Sequence, residues 1–389
     1  MKQLLTLKPW MLSFISMPGI SYLLLRDVFG SAILAQLSFA LLNFIVVCLF
    51  LTLSPIIRYK TRFKYYLLIV TFSFLVGLVP IYGGSDPTAL IVSFSGWLTF
   101  LLGYSLNLQK EQYMDVLLLL AKISIGIFVI ADFGNRVLVG NGLASTLFNN
   151  THIFLTLYIF ASYVTRSMLN KMVPVVLIYL SFLALSYWLD SDFAREQYKV
   201  LIYITLAFLL TIFGVYFRKL IPAASAPLFL IFFCILIGIC LMQFSDLAKL
   251  LPVSREGSLL YRYKVFIAIL QALFSDLPWS IFGYGLGASN WAGGDDLLNL
   301  GSHSGVSDLL LEFGVLSIFI VYISYPSRNI DRKLWLLIWV YWFAINFLNN
   351  SFVASAMFEY QMGLLIFGII LGFLGHKHEK TISFSEQKN

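Results

Sequence analysis

The sequence predicts an all-α fold: a polytopic transmembrane helical bundle that forms a single integral membrane domain over residues 1–389, with about twelve spans. Hydrophobic residues make up 60% of the chain and charged residues only 12%, about half the charged fraction of a soluble domain. The apolar residues form continuous runs, whereas a transmembrane β-barrel needs alternating segments of about ten residues. Helices are expected because a helix satisfies its backbone hydrogen bonds internally within lipid.

Twelve apolar runs define the predicted spans, and short connections or one long loop separate them. The first run is interpreted as a retained span rather than a cleaved signal peptide. The long loop covers residues 243–304 and is expected to contain amphipathic helices. The runs cover residues 10–25, 31–53, 65–82, 88–106, 116–131, 151–165, 173–189, 198–217, 223–242, 305–325, 334–352 and 357–375.

Lysine and arginine residues predict the orientation of these spans. With a cytoplasmic N-terminus, the cytoplasmic segments hold 17 of the 26 basic residues, and the 58–64 segment is the densest of them. Both termini are therefore expected in the cytoplasm, and the 243–304 loop on the opposite face. The net charge of +7 is dispersed between apolar runs, so nucleic acid is not an expected partner.

The cysteines predict neither a disulfide nor a zinc site. Cys48, Cys234 and Cys240 all lie inside apolar runs and form no CxxC pair. Asp295 and Asp296 form an adjacent acidic pair in the long loop, but their glycine-rich and asparagine-rich surroundings favour solvated turn residues over metal ligands. Neither a metal nor a cofactor is expected.

Several basic residues lie on the predicted non-cytoplasmic side, whereas the orientation was chosen to place most lysine and arginine residues in the cytoplasm. They have two interpretations: charges that an ordinary wetted loop needs, or an anion site. Apolar residues from Leu259 to Leu277 recur at helical spacing and predict an amphipathic helix on the membrane surface, with Arg262 beside its apolar face. Arginine binds phosphate or pyrophosphate through two N–H groups at once, although it also reaches towards water beside an interface. The outer residues in question are Arg195, Lys249, Arg255, Arg262 and Lys264.

A glycine-rich stretch, Gly283-Tyr-Gly-Leu-Gly287, follows the amphipathic pattern. No strand–helix–strand pattern surrounds it, which argues against a dinucleotide site. Glycine adopts backbone conformations closed to other residues and allows close approach of another group. The stretch therefore predicts a tight turn packed against a neighbour.

Titratable residues cluster where the chain enters the tenth predicted span. His303 lies at that outer entry, where a histidine can act as acid or base near neutral pH, although a single histidine is more often structural. Asp308 and Glu312 lie four residues apart on one face of the span, and acids within a membrane are candidates for function. His152, at the outer end of the sixth span, is a second candidate.

Together these motifs resemble those of the bacterial O-antigen polymerase and O-antigen ligase superfamily. The resemblance covers residues 190–325 in its motifs and the rest of the chain only in hydropathy. It departs from the family pattern at Phe266, where tryptophan is frequent, and at Ser307, where the family carries leucine. Ser304 stands where ligases commonly carry asparagine, which favours a polymerase. The matching positions are Arg195, Arg262, Phe266, Pro278, Gly283, Gly285, His303, Ser304, Glu312 and Gly314.

The resemblance implies a metal-independent glycosyltransferase of the bacterial inner membrane with its site facing the periplasm. The growing glycan on undecaprenyl pyrophosphate would pass, with inversion, to a sugar hydroxyl of an incoming lipid-linked repeat unit. His303 would be the general base, while Arg195 and Arg262 would stabilise the pyrophosphate. Expected partners are the lipid-linked oligosaccharides, membrane lipids, a chain-length regulator and a flippase. Candidate substrate-binding residues are His152, Arg255, Lys264, Gly283, Gly285, Ser304, Asp308 and Glu312.

Three other functions remain open from the sequence. The first is an O-antigen ligase, which would transfer the glycan to lipid A–core. The second is a transporter or flippase for a lipid-linked or anionic solute; the lack of a visible internal repeat in the sequence and the few helix breakers argue against it. The third is a membrane scaffold without activity, which acids within a span argue against only weakly.

Overall fold

A computed structural model of the chain describes ten stretches and two single residues. Within them every regular element is a helix and no β-strand occurs, so the all-α prediction is confirmed for these residues. Among the described helices, none was found to combine the length and the apolar character needed to cross a membrane. The described residues are Pro18, Leu25, 32–53, 61–79, 87–106, 112–126 except 124, 156–161, 166–189, 277–288, 305–326, 332–341 except 340, and 358–375.

Eight helices have both ends within these stretches, and further helical segments occur in 112–126, 156–161 and 332–341. The helices are α1 (Ala32–Leu53), α2 (Thr61–Gly77), α3 (Pro87–Ser105), α4 (Arg166–Leu189), α5 (Leu277–Phe282), α6 (Gly305–Phe313), α7 (Leu316–Ile323) and α8 (Phe358–Gly375). The spans predicted at 198–217 and 223–242 lie outside the described residues, as do most of the first span and of the 243–304 loop.

Helix α3 lies at the centre of the described bundle and packs against α1, α2 and α8. Its contact with α8 is close because glycines line it: a Cβ on Gly103 would lie 2.5 Å from the Leu365 carbonyl oxygen, and one on Gly372 would lie 2.7 Å from the Tyr104 oxygen. A Cβ on Gly368 would collide with the carbonyl of Phe100, four residues before Tyr104. The two helices therefore run in the same direction with their backbones almost in contact.

A buried polar cluster joins α1 to α3. The Asn43 amide donates to the Ser95 carbonyl at 2.8 Å, to Ser95 Oγ at 2.6 Å and to Thr99 Oγ1 at 2.7 Å. Thr99 Oγ1 in turn donates to Asn43 Oδ1 at 3.1 Å. Ala40 packs on Val92 one turn earlier, so α1 and α3 are also parallel.

Helix α2 runs antiparallel to α3 and to α7. Its second turn meets the end of α3 through Tyr66 and Tyr104, whose ring centroids lie 4.9 Å apart. Towards α7, Arg62 Nη1 donates to the Tyr325 carbonyl at 2.8 Å and the Tyr66 hydroxyl to the Ile320 carbonyl at 2.8 Å. The start of α2 and the end of α7 thus lie at one end of the bundle, and Gly77 lies at the other.

Several large apolar side chains face outward on each of five helices, α1, α2, α4, α5 and α7, whereas several polar side chains are buried between the helices. The buried polar residues include Asn43, Ser73, Ser93, Ser95, Thr99, Glu312, Ser317 and Ser324. The exposed apolar residues include Leu34, Leu37, Leu41, Phe44, Ile45 and Leu49 of α1, Leu68, Phe72 and Leu75 of α2, Val173, Leu177 and Ile178 of α4, and Ile318, Phe319 and Tyr322 of α7.

Candidate functional site

A glycine turn, defined as residues 283–288, follows the short helix α5. Pro278 occupies the first turn of α5, where its missing N–H removes no intrahelical hydrogen bond. Gly283, Gly285 and Gly287 have φ angles of 69°, 90° and 80°, in the left-handed region that side chains disfavour. The structure thus contains the tight turn that the sequence predicts, and three positive φ angles explain why three glycines form it.

The glycine turn is wedged between α2 and α6, backbone against backbone. A Cβ on Gly285 would lie 2.6 Å from the Gly77 Cα, and one on Gly283 would lie 2.6 Å from the Glu312 carbonyl carbon. Just after α6, a Cβ on Gly314 would lie 2.6 Å from the Gly283 nitrogen. Side chains at these positions would push the elements apart, so the glycines set how closely the turn approaches both helices.

Five of the six N–H groups of the glycine turn donate to acceptors within the protein. This arrangement favours a packing role for the turn over an anion-binding cradle, which needs several converging free N–H groups. The donors and acceptors are Gly283 to the Trp279 carbonyl (2.9 Å), Tyr284 to the Leu311 carbonyl (2.7 Å), Leu286 to the Ser73 carbonyl (3.1 Å), Gly287 to Glu312 Oε1 (2.9 Å) and Ala288 to the Gly285 carbonyl (3.3 Å).

Glu312 joins the glycine turn to three helices. Glu312 is 0% exposed. Its Oε1 accepts hydrogen bonds from the Gly287 N–H at 2.9 Å and from Ser93 Oγ of α3 at 3.1 Å. Its backbone carbonyl accepts a further bond from Ser73 Oγ of α2 at 2.8 Å. A buried carboxyl group requires such partners, because removing it from water without them is costly.

The tenth predicted span is divided in two, which corrects the expectation of one continuous helix over 305–325. Helix α6 ends at Phe313 and α7 begins at Leu316, with Gly314 between them at a φ of 54°. The Val315 N–H donates to the Ser280 carbonyl of α5 at 2.8 Å, which satisfies a backbone group that the break releases. The glycine at 314 is the sequence signal for this break.

Aromatic rings pack beside the glycine turn. The rings of Trp279 and Tyr284 stack with centroids 4.8 Å apart and planes 9° apart, and they pack against Leu311. Phe282 lies beside Phe72 of α2, with centroids 5.0 Å apart. These contacts hold α5 and the glycine turn against the bundle.

Among the predicted site residues, the structure brings Gly283, Gly285 and Glu312 together. Asp308 lies in α6, one turn before Glu312. Sequence reasoning missed Ser73 and Ser93, because a single serine within an apolar run carries no signal of the partner that it meets. The remaining predicted residues lie outside the described part of the chain: His152, Arg195, Arg255, Arg262, Lys264, His303 and Ser304.

The motif positions behind the family resemblance are far apart in the sequence. Gly287 of the glycine turn and Glu312 of the following motif are separated by 25 residues, yet they are hydrogen-bonded to each other. No protein-family model matches the chain, and comparisons with curated proteins and with solved structures also give no match. The resemblance therefore depends on the motif residues and on hydropathy.

Proposed function

We propose that this chain is a bacterial O-antigen polymerase, an integral protein of the inner membrane. In this proposal it transfers a growing glycan from undecaprenyl pyrophosphate to a sugar hydroxyl of a lipid-linked repeat unit at the periplasmic face. The main support is the contact between the Gly283-x-Gly285 and Glu312-x-Gly314 motifs. Two sequence motifs that the resemblance treats as parts of one site are adjacent in space: a Cβ on Gly314 would lie 2.6 Å from the Gly283 nitrogen, and one on Gly283 would lie 2.6 Å from the Glu312 carbonyl carbon.

The distribution of side chains supports the membrane location. Soluble proteins rarely expose contiguous apolar faces, yet α1, α2, α4 and α7 each present several large apolar residues outward. Several polar residues, among them Asn43, Ser93 and Glu312, lie inside. This inversion is expected where hydrocarbon rather than water surrounds the helices.

The directions of the helices give independent support. A chain that crosses a membrane repeatedly reverses direction at each crossing, so even-numbered spans are parallel to one another and antiparallel to odd-numbered ones. In the predicted order α1, α3 and α8 are the second, fourth and twelfth spans, and they are parallel. Helix α2 is the third, and it is antiparallel to α3 and to α7, the inner half of the tenth.

The position of the glycine turn supports a site on the outer face. Arg62, in the basic 58–64 segment, bonds the end of α7, whereas Ser73 and Gly77 bond or contact the turn. Eleven residues separate Arg62 from Ser73, which corresponds to about 16 Å along a helix. The turn therefore lies at the end of the bundle away from the cytoplasmic charges. In the sequence, His303 precedes Gly305, the first residue of α6, by two positions.

The proposed chemistry uses groups on this outer side. Pyrophosphate is a good leaving group, so the transfer needs no strong acid. Arg195 and Arg262 would stabilise the negative charge that develops on the leaving oxygens. His303 would take the proton from the acceptor hydroxyl as that oxygen attacks the anomeric carbon.

Glycan chain length on the cell surface tests the proposal. We expect His303→Ala, Arg195→Ala and Arg262→Ala each to shorten the glycan ladder severely in a strain that lacks the native gene. His376→Ala is the matched control, because His376 lies in the cytoplasmic tail of the predicted topology. Ladders of normal length in all three variants, at wild-type protein levels, would contradict the site.

Two further measurements distinguish the proposed polymerase from a metal-dependent enzyme and from a ligase. Purified protein should elongate lipid-linked repeat units at an unchanged rate in EDTA; a loss of activity would implicate a metal at Asp295 and Asp296. A gene deletion should leave single repeat units on lipid A–core. A deletion that leaves no repeat units there would indicate a ligase instead.

The division of the tenth span at Gly314 favours one alternative, a transporter, since helices interrupted within the membrane are common in transporters. Proteoliposomes distinguish the two functions. A polymerase elongates lipid-linked repeat units that are already on its outer side. A transporter would move those lipids across the bilayer and leave the length of their glycans unchanged.

A further inference from the structure

We propose that Arg62 and Arg332 together form a binding site for the phosphate headgroup of an anionic phospholipid, at the end of the bundle that the topology predicts to be cytoplasmic. The site lies at the opposite end from the glycine turn and is separate from the groups proposed for glycan transfer. It rests on the membrane location within the proposed function, but not on the polymerase activity.

Two arginines from opposite halves of the chain bind consecutive carbonyl groups. Arg62 Nη1 of α2 donates to the Tyr325 carbonyl at 2.8 Å, and Arg332 Nε donates to the Pro326 carbonyl at 3.0 Å. The guanidinium carbon of Arg332 also lies 5.1 Å from the centroid of the Tyr325 ring. Because the Cα atoms of consecutive residues are about 3.8 Å apart, these bonds hold the two cations near each other.

The elements that meet at this end contain cations and no acid. Helix α2, α3, α7 and the helical segment that begins at Arg332 have no aspartate or glutamate, whereas Lys64 and Lys333 add two further positive charges. The connecting residues 327–331 add one residue of each sign. Like charges held together repel each other, so an anion bound between them would stabilise this end of the bundle.

Capping of α7 explains part of this arrangement. Basic side chains near a helix C-terminus bond its last carbonyl groups and interact favourably with the helix dipole. The bond to the Tyr325 carbonyl uses one N–H group of Arg62, whereas a guanidinium group has five. Both arginines are half-buried, so part of each side chain is accessible. Arginine binds phosphate oxygens through two N–H groups at once, so Arg62 can cap α7 and bind a phosphate at the same time.

The exposed side chains around the arginines favour a lipid over a free phosphate. Tyr65 of α2 and Tyr322 of α7 are 55% and 57% exposed, and tyrosine rings are enriched at the headgroup level of a membrane. About one turn further from this end, Leu68 and Phe319 are 68% and 53% exposed, as expected beside acyl chains. Basic pockets between membrane helices on the cytoplasmic side bind anionic headgroups.

Thermal unfolding of the purified full-length protein in one uncharged detergent tests the site. Dioleoyl phosphatidylglycerol should raise Tm more than dioleoyl phosphatidylcholine at the same concentration, because a ligand that binds only the folded state stabilises it. Arg62→Gln and Arg332→Gln should each weaken the apparent affinity for phosphatidylglycerol by about fivefold or more. Lys171→Gln is the matched control, since it removes one exposed cation of α4 on the same predicted face.

Two additions separate the contributions to binding. Arg62→Lys keeps the charge and loses the planar group with its paired N–H donors, so its affinity should fall by less than that of Arg62→Gln. It also replaces Arg62→Gln if that variant is not obtained in folded form. Inorganic phosphate at the same concentration should leave Tm unchanged, because it lacks the acyl chains that contact the helices.

Four outcomes decide the proposal. Equal effects of the two lipids on the wild-type protein would overturn it. A preference for phosphatidylglycerol as strong in the arginine variants as in Lys171→Gln would overturn the assignment to Arg62 and Arg332. Stabilisation by inorganic phosphate equal to that by phosphatidylglycerol would overturn the lipid as the occupant. An arginine-dependent preference in a protein that elongates no lipid-linked repeat unit would refute the polymerase and support the lipid site.

Discussion

The close approach of Gly285 to α2 leads to a quantitative prediction for Gly285→Ala. The residue has a φ of 90°, and an added Cβ would lie 2.6 Å from the Gly77 Cα and 2.9 Å from the Ser73 carbonyl oxygen. Both neighbours are backbone atoms, so no side-chain rotation can make room. The methyl group must therefore displace the glycine turn from α2.

Three contributions give the size of the effect. An alanine in this backbone region is strained by about 1–2 kcal/mol. Forcing an extra carbon into a packed contact costs about 1–3 kcal/mol. Loss of the 3.1 Å hydrogen bond from Leu286 N to the Ser73 carbonyl adds about 1 kcal/mol. The expected destabilisation is about 3 kcal/mol or more, which for 389 residues lowers Tm by roughly 4 °C with the unfolding entropy per residue of globular proteins.

Thermal unfolding of the purified protein in one detergent measures this effect, with Gly126→Ala as the matched control. A Cβ on Gly126 meets nothing within 4 Å, and the residue is helical, so alanine there should be neutral or stabilising by up to about 1 kcal/mol. If Gly285→Ala unfolds within a degree of Gly126→Ala, the turn does not contact α2 as described and the reasoning is refuted.

Two further variants test the packing around α3. Gly103→Ala should destabilise by about 1–3 kcal/mol, because its Cβ would lie 2.5 Å from the Leu365 carbonyl oxygen; stability equal to that of Gly126→Ala would contradict the close α3–α8 contact. Asn43→Ala should destabilise by about 1–3 kcal/mol by leaving the buried Thr99 hydroxyl without its amide partner. The double variant with Thr99→Val should lose less stability than the two single variants lose together. A loss equal to that sum in thermal unfolding would argue against the hydrogen bond.

The bounds of two helices follow the bounds of their apolar runs closely. The run at 31–53 predicts α1 (Ala32–Leu53), and the run at 88–106 predicts α3 (Pro87–Ser105), to within one residue. Helix α4 begins at Arg166, seven residues before its apolar run, because backbone hydrogen bonds continue a helix through polar residues such as Asn170 and Lys171. Hydropathy reports the environment of a helix, not the end of its hydrogen bonding.

The glycine turn was predictable, but its partners were not. Glycines with positive φ are common in tight turns, so Gly283, Gly285 and Gly287 carry a local signal. Ser93 and Ser73 meet Glu312 across 219 and 239 residues of sequence. A serine in an apolar run has the same local pattern whether it faces lipid or a neighbouring helix, so one sequence cannot identify such partners.

The division of the tenth predicted span shows the same limit. Gly314 is visible in the sequence, but glycine is frequent in membrane helices, so a glycine alone does not predict a break. The break depends on the Ser280 carbonyl, which accepts the Val315 N–H from another element. The break therefore combines a local feature, Gly314, with a long-range hydrogen bond that one sequence does not identify.

The parallel seam between α3 and α8 has a consequence for biosynthesis. About 250 residues separate the end of α3 from the start of α8, so a ribosome adding about 5–20 residues per second needs roughly 13–50 s to supply the partner helix. During that time the backbone around Phe100 and Gly103 lacks its final neighbour. The last of the described helices to be synthesised thus completes the centre of the described bundle, and a nascent chain that stops short of α8 lacks a central packing partner of α3.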